Sequence, residues 1–252
     1  MGKTIAITNQ KGGVGKTTTA INLTACLAEA GQRVLLIDLD PQGNSTSGLG
    51  MRAGANSIYE AIMGRTAVES CVQQTCVGAL SIITADIRLA GAELELVELE
   101  EREFRLKHVL KAIEGKFDYL FIDCPPSLGL LTLNALTAAQ RVFIPIQCEY
   151  YALEGVTSLM NTVNRVKHTF NPGLDIEGVL LTMLDGRTNL SLQVVDSVKK
   201  HFKNKVFATA IPRNVRLGEA PSHGVPIHLY DPKSLGAESY RQLAQEFMKR
   251  NK

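Results

Sequence analysis

The stretch that decides the fold is "NQKGGVGKTTTAINL", residues 9–23. It follows a strand-like run, "KTIAIT" at 3–8, and opens a helical pattern from about Lys16 to Ala30 that Gly31 stops. A glycine-rich turn between a strand and a helix is the setting of a phosphate-binding loop: Gly, any four residues, then Gly-Lys-Ser/Thr. Gly15, Lys16 and Thr17 fit the end of that pattern. Its leading glycine would fall at position 10, which is Gln10, and a second lysine, Lys11, follows.

Gly12, Gly13 and Gly15 let the backbone on either side of Val14 curl, so that its N–H groups converge on phosphate oxygens at a helix N-terminus. Lys16 can reach β- and γ-phosphates, the Thr17 hydroxyl can join a Mg²⁺ shell, and Thr18 can donate to an α- or β-phosphate. Lys11 has two readings. It is a solvated surface lysine, or it reaches the phosphates of a second copy meeting the first face to face, as an arginine finger supplied in trans does.

Outward from the loop, strand-like and helical runs alternate to the end of the chain. "RVLLIDL", "LSIIT", "FDYLFID", "RVFIPI", "IEGVLLTML", "VFATAI" and "VPIHL" read as strands, and a charged helical pattern runs from roughly Leu89 to Glu114. Such alternation predicts an α/β fold: a mostly parallel twisted sheet flanked by helices on both faces. No linker, repeat or low-complexity tract interrupts residues 1–252, so they read as one domain. With 45% hydrophobic and 6% aromatic residues, the core is expected to be aliphatic. No apolar run approaches the ~18–20 residues of a membrane span, and the start lacks a charged leader with an apolar core, so the expected location is cytoplasmic. Five cysteines without a CxxC pair read as small buried hydrophobes rather than a zinc or disulfide framework.

Two carboxylates belong at the same sheet edge as the loop. Asp123 ends "YLFID", where a Mg²⁺-holding aspartate sits, and Asp40 begins the loop after the second strand, where it can orient or deprotonate an attacking water. Asp38 reads as structural. Carboxylates are poor bases at neutral pH, so hydrolysis is expected to be slow.

Charge is unevenly spread. Residues 93–103 hold six glutamates against Arg102, whereas residues 187–216 hold Arg187, Lys199, Lys200, Lys203, Lys205, Arg213 and Arg216 against Asp196. A basic face without interleaved aromatics suggests contacts to duplex phosphates, blind to sequence and weakened by salt. For each of Lys199, Lys200 and Lys203, on one expected helix, a solvated face is the plainer reading.

Taken together, "KGGVGKTT", "LLIDLDPQGN", "FIDCPPSLG", "IPIQCEYYALEG" and "IPRNVRLGEAPSHG" closely resemble the ParA/Soj-type partition ATPases with a deviant Walker A motif, nearly end to end. The resemblance implies ATP and Mg²⁺ as cofactors and an ATP-bound sandwich homodimer. That dimer binds double-stranded DNA without sequence preference, lies on the nucleoid, and is released when a ParB-type partner stimulates hydrolysis. It assigns Lys11 to the partner's phosphates, Lys16, Thr17, Asp40 and Asp123 to catalysis and the metal, and Pro212 and Asn214 to the border of the adenine. Glu149 falls near the partner's ribose, and Arg187 and Arg216 on DNA. Some relatives also regulate replication or sporulation. The alternative is a MinD-like membrane-associated ATPase, which would use the tail residues Leu235, Tyr240, Leu243, Phe247 and Met248 as an amphipathic anchor. Two metabolic enzymes on the same fold, an iron–sulfur nitrogenase reductase and an ATP-dependent ligase, are further rivals.

Overall fold

A computed structural model describes residues 2–149 and 152–251, without the side chains of 152–155 and 157. The first half contains β1 (Lys3–Ile7), α1 (Lys16–Glu29), β2 (Val34–Asp38), α2 (Asn44–Gly48), α3 (Ile58–Ile62), β3 (Val72–Gln74), β4 (Leu80–Ile83), α4 (Arg88–Glu95), α5 (Arg105–Lys111) and β5 (Tyr119–Asp123). The second contains α6 (Leu130–Ala138), β6 (Arg141–Gln147), α7 (Ala152–Thr169), β7 (Asp175–Thr182), α8 (Asn189–Phe202), α9 (Val215–Glu219), α10 (Ile227–Tyr230) and α11 (Leu235–Arg250). One sheet, in the order β3-β4-β2-β5-β1-β6-β7, organises them, and only β3 runs antiparallel to its neighbour.

The predicted α/β architecture is therefore present, and its strands show why. Successive residues of β2 alternate between two cores: Leu35 and Ile37 pack on one face with Leu120 and Ile122, Val34 and Leu36 on the other with Phe121. The second core holds α1 and α11, joined by the buried contact between the Thr19 and Tyr240 hydroxyls at 3.2 Å. Because β1 and β5 are adjacent and parallel, Ile7 registers with Asp123, and Asp38 of β2 registers with the same residue. Loop, metal-type carboxylate and second-strand aspartates thus arrive at one edge.

Three expected elements differ. The helix from Leu89 to Glu114 is broken: Leu99 is extended, Glu101 is left-handed (φ 50°), and α5 starts afresh. Two packing needs impose the break. Leu96 and Leu106 both reach the core, and Asn134 of α6 accepts from the Leu106 N–H while donating to the Arg102 carbonyl, which fixes the new start. The run "VFATAI" lies along β7, with Phe207 N–H on Val179 O and Ile211 N–H on Leu181 O, but makes no continuous ladder. The N–H groups of Ala208 and Thr209 bind the Glu246 carboxylate of α11 at 2.8 and 2.9 Å instead. "VPIHL" becomes the short α10: Pro226 sets its start, and Ile227 N–H donates to Asn22 Oδ1 at 2.7 Å. Of the cysteines, Cys26, Cys71, Cys124 and Cys148 are buried as expected, and Cys76 is exposed.

Candidate nucleotide site

Residues 9–15 leave β1 and fold into a loop pinned from both ends. Asn9 donates to Pro145 O at 2.7 Å and accepts from Lys11 N–H at 3.1 Å, and Thr182 donates to Val14 O at 2.8 Å. Gly13 and Gly15 are left-handed, at φ 73° and 86°, conformations that an L side chain resists. Gly15 is the N-cap of α1, and no side chain caps that helix. The first N–H groups of a 14-residue helix therefore remain free for an anion. Gln10, which replaces the expected glycine, donates to Ser158 Oγ on α7 at 3.0 Å.

Lys16 is only 7% exposed, and its ammonium donates to Lys11 O across the loop at 3.2 Å. Burial lowers its pKa, against Asp123, Cys124 and Asp40, which raise it. The mouth of the loop is a cleft of about 340 Å³ lined by Gly12, Gly13, Gly15, Lys16, Thr17, Thr18, Asp40, Gln42, Asn44, Pro126 and Met183. Lys11 is not among these walls. Its ammonium stands 3.7 Å from Glu149 Oε2, and Arg213 reaches Glu149 Oε1 at 3.4 Å. An adjoining cleft of about 500 Å³ shares Gly15, Thr18 and Met183 and is walled by Ile211, Pro212, Asn214, Val215, Leu217 and Tyr240. It is mostly apolar, with Arg213 and Glu219 also on its lining, and its size can take a purine. Asn214 is fixed there because its side-chain oxygen caps α9, accepting from Arg216 N–H at 2.8 Å.

The carboxylates are arranged unequally. Asp38 spends both oxygens, one on Asp40 N–H and the other on the N–H and hydroxyl of Thr46, so it is structural. Asp40 accepts from Gln42 N–H at 3.0 Å and lines the phosphate cleft. Asp123 is fully buried; Ser45 donates to its Oδ2 at 2.8 Å, while its Oδ1 has no partner. Burial, then the nearby Asp38 charge, pushes the Asp123 carboxyl above the usual range. A buried carboxylate oxygen lacking a donor is costly alone and is satisfied by a hard cation. Thr17 lines the phosphate cleft, and its hydroxyl is near enough to Asp123 to oppose the rise in that carboxyl's pKa; this donor pair fits Mg²⁺. Sequence reasoning missed Ser45, Thr182 and Met183. The polar "GNST" after Asp40 was the available signal for Ser45; Met183 (φ 52°) had none.

The basic candidates separate into two groups. Leu184 bridges to Pro212, so the Arg187 loop adjoins the segment carrying Arg213 and Arg216. Arg187 is 90% exposed and paired with Asp185, and Arg216 pairs with Glu219 at 2.8 Å. Lys199 and Lys200 lie at the far end of α8, a helix of ~21 Å that leads back to the start of β7. Lys203 follows the helix rather than lying on it. The lysines thus stand at the sheet's opposite edge from the arginines. Tyr150 and Tyr151 of "CEYYALEG" lie outside the described residues.

Most of the tail that a membrane anchor would need is otherwise engaged, although Leu235 at its start is exposed. Tyr240, Leu243 and Phe247 of α11 are buried in the second core, Phe247 against Tyr119 and Phe121. Among the described residues, no helix is long and apolar enough to cross a membrane.

Comparison with known proteins agrees with this geometry. A family described as "AAA domain" matches residues 2–176. The chain is 60% identical over 98% of both chains to the sporulation initiation inhibitor protein Soj of Bacillus subtilis, and 54% identical to the chromosome partitioning protein ParA of Myxococcus xanthus, covering 100% of this chain and 89% of that one. Among solved structures it resembles a cobyrinic acid a,c-diamide synthase of Mycobacterium smegmatis with bound ADP and magnesium (TM-score 0.87, 40% identity, 99% and 95% coverage). It also resembles MinD of Pyrococcus horikoshii complexed with Mg-ADP (TM-score 0.82, 25% identity, 98% and 96% coverage). Full-length identity at this level, together with the deviant phosphate loop and the buried metal-type aspartate, makes the chain a member of the Soj/ParA family of chromosome-partitioning ATPases.

Proposed function

We propose that the protein is a single-domain, slow ATP-driven switch whose ATP-bound form is a homodimer that binds duplex DNA without reading its sequence. A ParB-type partner stimulates its hydrolysis and so releases it, and its location is the cytoplasm, on the nucleoid. The observation that carries this reading is the placement of Lys11: its ammonium lies outside the walls of its own phosphate cleft, on the loop's outer rim. Facing copies would let each Lys11 exchange Glu149 for the other's phosphates, where its charge offsets that of the departing phosphoryl group.

Within one site, the uncapped start of α1 and the Lys16 ammonium hold the phosphates, and Pro212 and Asn214 border the base. Thr17 and Asp123 would hold Mg²⁺, which when bound draws charge from the β- and γ-phosphate oxygens. Asp40 orients the attacking water, and carboxylates as a class are poor bases at neutral pH, so hydrolysis is slow, as suits a timer. Arg187 and Arg216 would exchange their acidic neighbours for DNA phosphates, and Lys199, Lys200 and Lys203 would add to the field around them. The alternative of a ligase, raised by the synthase structure, predicts turnover that depends on a small carboxylate.

Complementation tests the clasp. Lys11→Ala lacks the lysine it gives away, and Asp40→Ala lacks the residue it keeps. Each alone should hydrolyse ATP at less than about a hundredth of the wild-type rate, the cost of losing transition-state charge stabilisation. An equimolar mixture should recover a substantial part of the activity, because a mixed dimer holds one complete site. No recovery on mixing would mean that Lys11 acts on its own nucleotide or not at all.

A further inference from the structure

The broken helix noted above leaves a face of α4 uncovered. Its inner face, Leu89, Ala92 and Leu96, is buried. On the outside, Ile87, Leu94 and Val97 are 68%, 78% and 51% exposed. Ile87 immediately precedes α4, Leu94 lies on it, and Val97 lies in the 3₁₀ turn Leu96–Glu98 that continues it. At i, i+7 and i+10, with exposed Ala90 between them, they follow one side of this segment. Such a helix is apolar on both sides, and an apolar stripe left in water marks a docking surface.

Its surroundings select the occupant. From Asp86 to Glu103 the chain carries seven carboxylates against Arg88 and Arg102, in a protein whose net charge is +2. Both arginines are already paired, Arg88 with Asp86 and Glu60, Arg102 with Glu103. Arg65 pairs with Glu95, which leaves Glu93, Glu98, Glu100 and Glu101 without a Lys or Arg ion pair among the described residues. Glu98 and Glu100 are exposed. A field of this sign repels DNA, an anionic membrane surface and the same face of a second copy, and it attracts a basic polypeptide. The stripe also starts beside the chemistry. Ile87 shares a cleft of about 540 Å³ with Pro41, Gln42, Gly43, Thr46 and Met51, the loop that begins at Asp40, and the basic Arg52 stands on its rim.

We propose that the Ile87–Leu94–Val97 stripe with its ring of glutamates is the docking site of a basic, leucine- or valine-bearing helical segment of a partner protein. An apolar side chain of that segment enters the cleft at Ile87 and presses on the loop that holds Asp40. This deepens the functional reading above, since it assigns the hydrolysis-stimulating partner its place.

The test uses the full chain with the purified cognate ParB-type protein as probe. Leu94→Ser combined with Val97→Ser changes only exposed side chains, and Glu98→Lys combined with Glu100→Lys reverses the field. Both variants should form the ATP-dependent dimer, bind DNA and hydrolyse ATP unaided as the wild type does. The first should bind the probe about tenfold or more weakly and lose most of the stimulation. The second should weaken binding most at low salt. Unchanged binding and stimulation in both variants would overturn the docking site while leaving the switch intact. Loss of the dimer or of DNA binding in either variant would overturn it too, by making the ridge a self-interface or part of the DNA face. A wild type that the probe neither binds nor stimulates would instead overturn the reading on which the site rests.

Discussion

Two edges of one sheet each bury a carboxylate, and they treat it in opposite ways. At the edge where the strands begin, Glu177 of β7 has a side chain 4% exposed; it accepts from Lys3 at 3.3 Å and from Asn251 at 2.6 Å, with Arg141 at 4.0 Å. Lys3 in turn also donates to Asn251, so β1, β7 and the end of α11 are tied by one closed network. At the edge where the strands end, Asp123 is as deeply buried, with one oxygen on Ser45 and the other on nothing. A satisfied buried charge rigidifies, whereas an unsatisfied one is a cost that a ligand removes. The difference separates scaffold from site without reference to any motif.

That contrast is broken most decisively at Lys16. Lys16→Ala should lower nucleotide affinity by about a hundredfold or more in calorimetry, the effect expected if its buried ammonium makes the charge-assisted contact to phosphate proposed above. Its urea midpoint should stay near wild type. Glu177→Ala should do the reverse. It strands Lys3 and Asn251, so stability should fall by about 2–3 kcal/mol in urea unfolding, with ADP affinity unchanged. A Glu177 variant of normal stability, or one that lost nucleotide binding, would erase the distinction between the edges.

Smaller effects sharpen the same division for DNA. Arg216→Ala should weaken binding to every duplex by about tenfold and flatten the salt dependence by about one charge, sparing DNA-free hydrolysis. Lys199→Ala with Lys200→Ala, at the opposite edge, should lower the affinity by less, about two- to threefold in fluorescence anisotropy. An equal or larger loss from the lysines would move the DNA surface away from the nucleotide edge.

Much of this was legible in the chain. The 9–23 stretch, the strand ends at Asp38 and Asp123 and the aliphatic runs announced a parallel sheet with a phosphate loop, since those features are local. The break after Leu96 was not, because Asn134, some thirty residues on, holds the new helix start. The interrupted ladder at Ala208 depends on Glu246 from the last helix in the same way. Ser45 escaped notice because the polar "GNST" marks a loop after Asp40 but does not say that its hydroxyl reaches Asp123, 78 residues on. Residues acting within their own segment were readable, and residues acting on distant backbone were not.

Light scattering on Asp40→Ala, a substitution expected to block cleavage, asks most directly whether two protomers clasp two nucleotides. With saturating Mg·ATP the mass should double, and with ADP or no nucleotide it should remain that of one 27.4 kDa chain. A single chain under all three conditions would contradict the account, and Lys11 would revert to a solvated surface lysine.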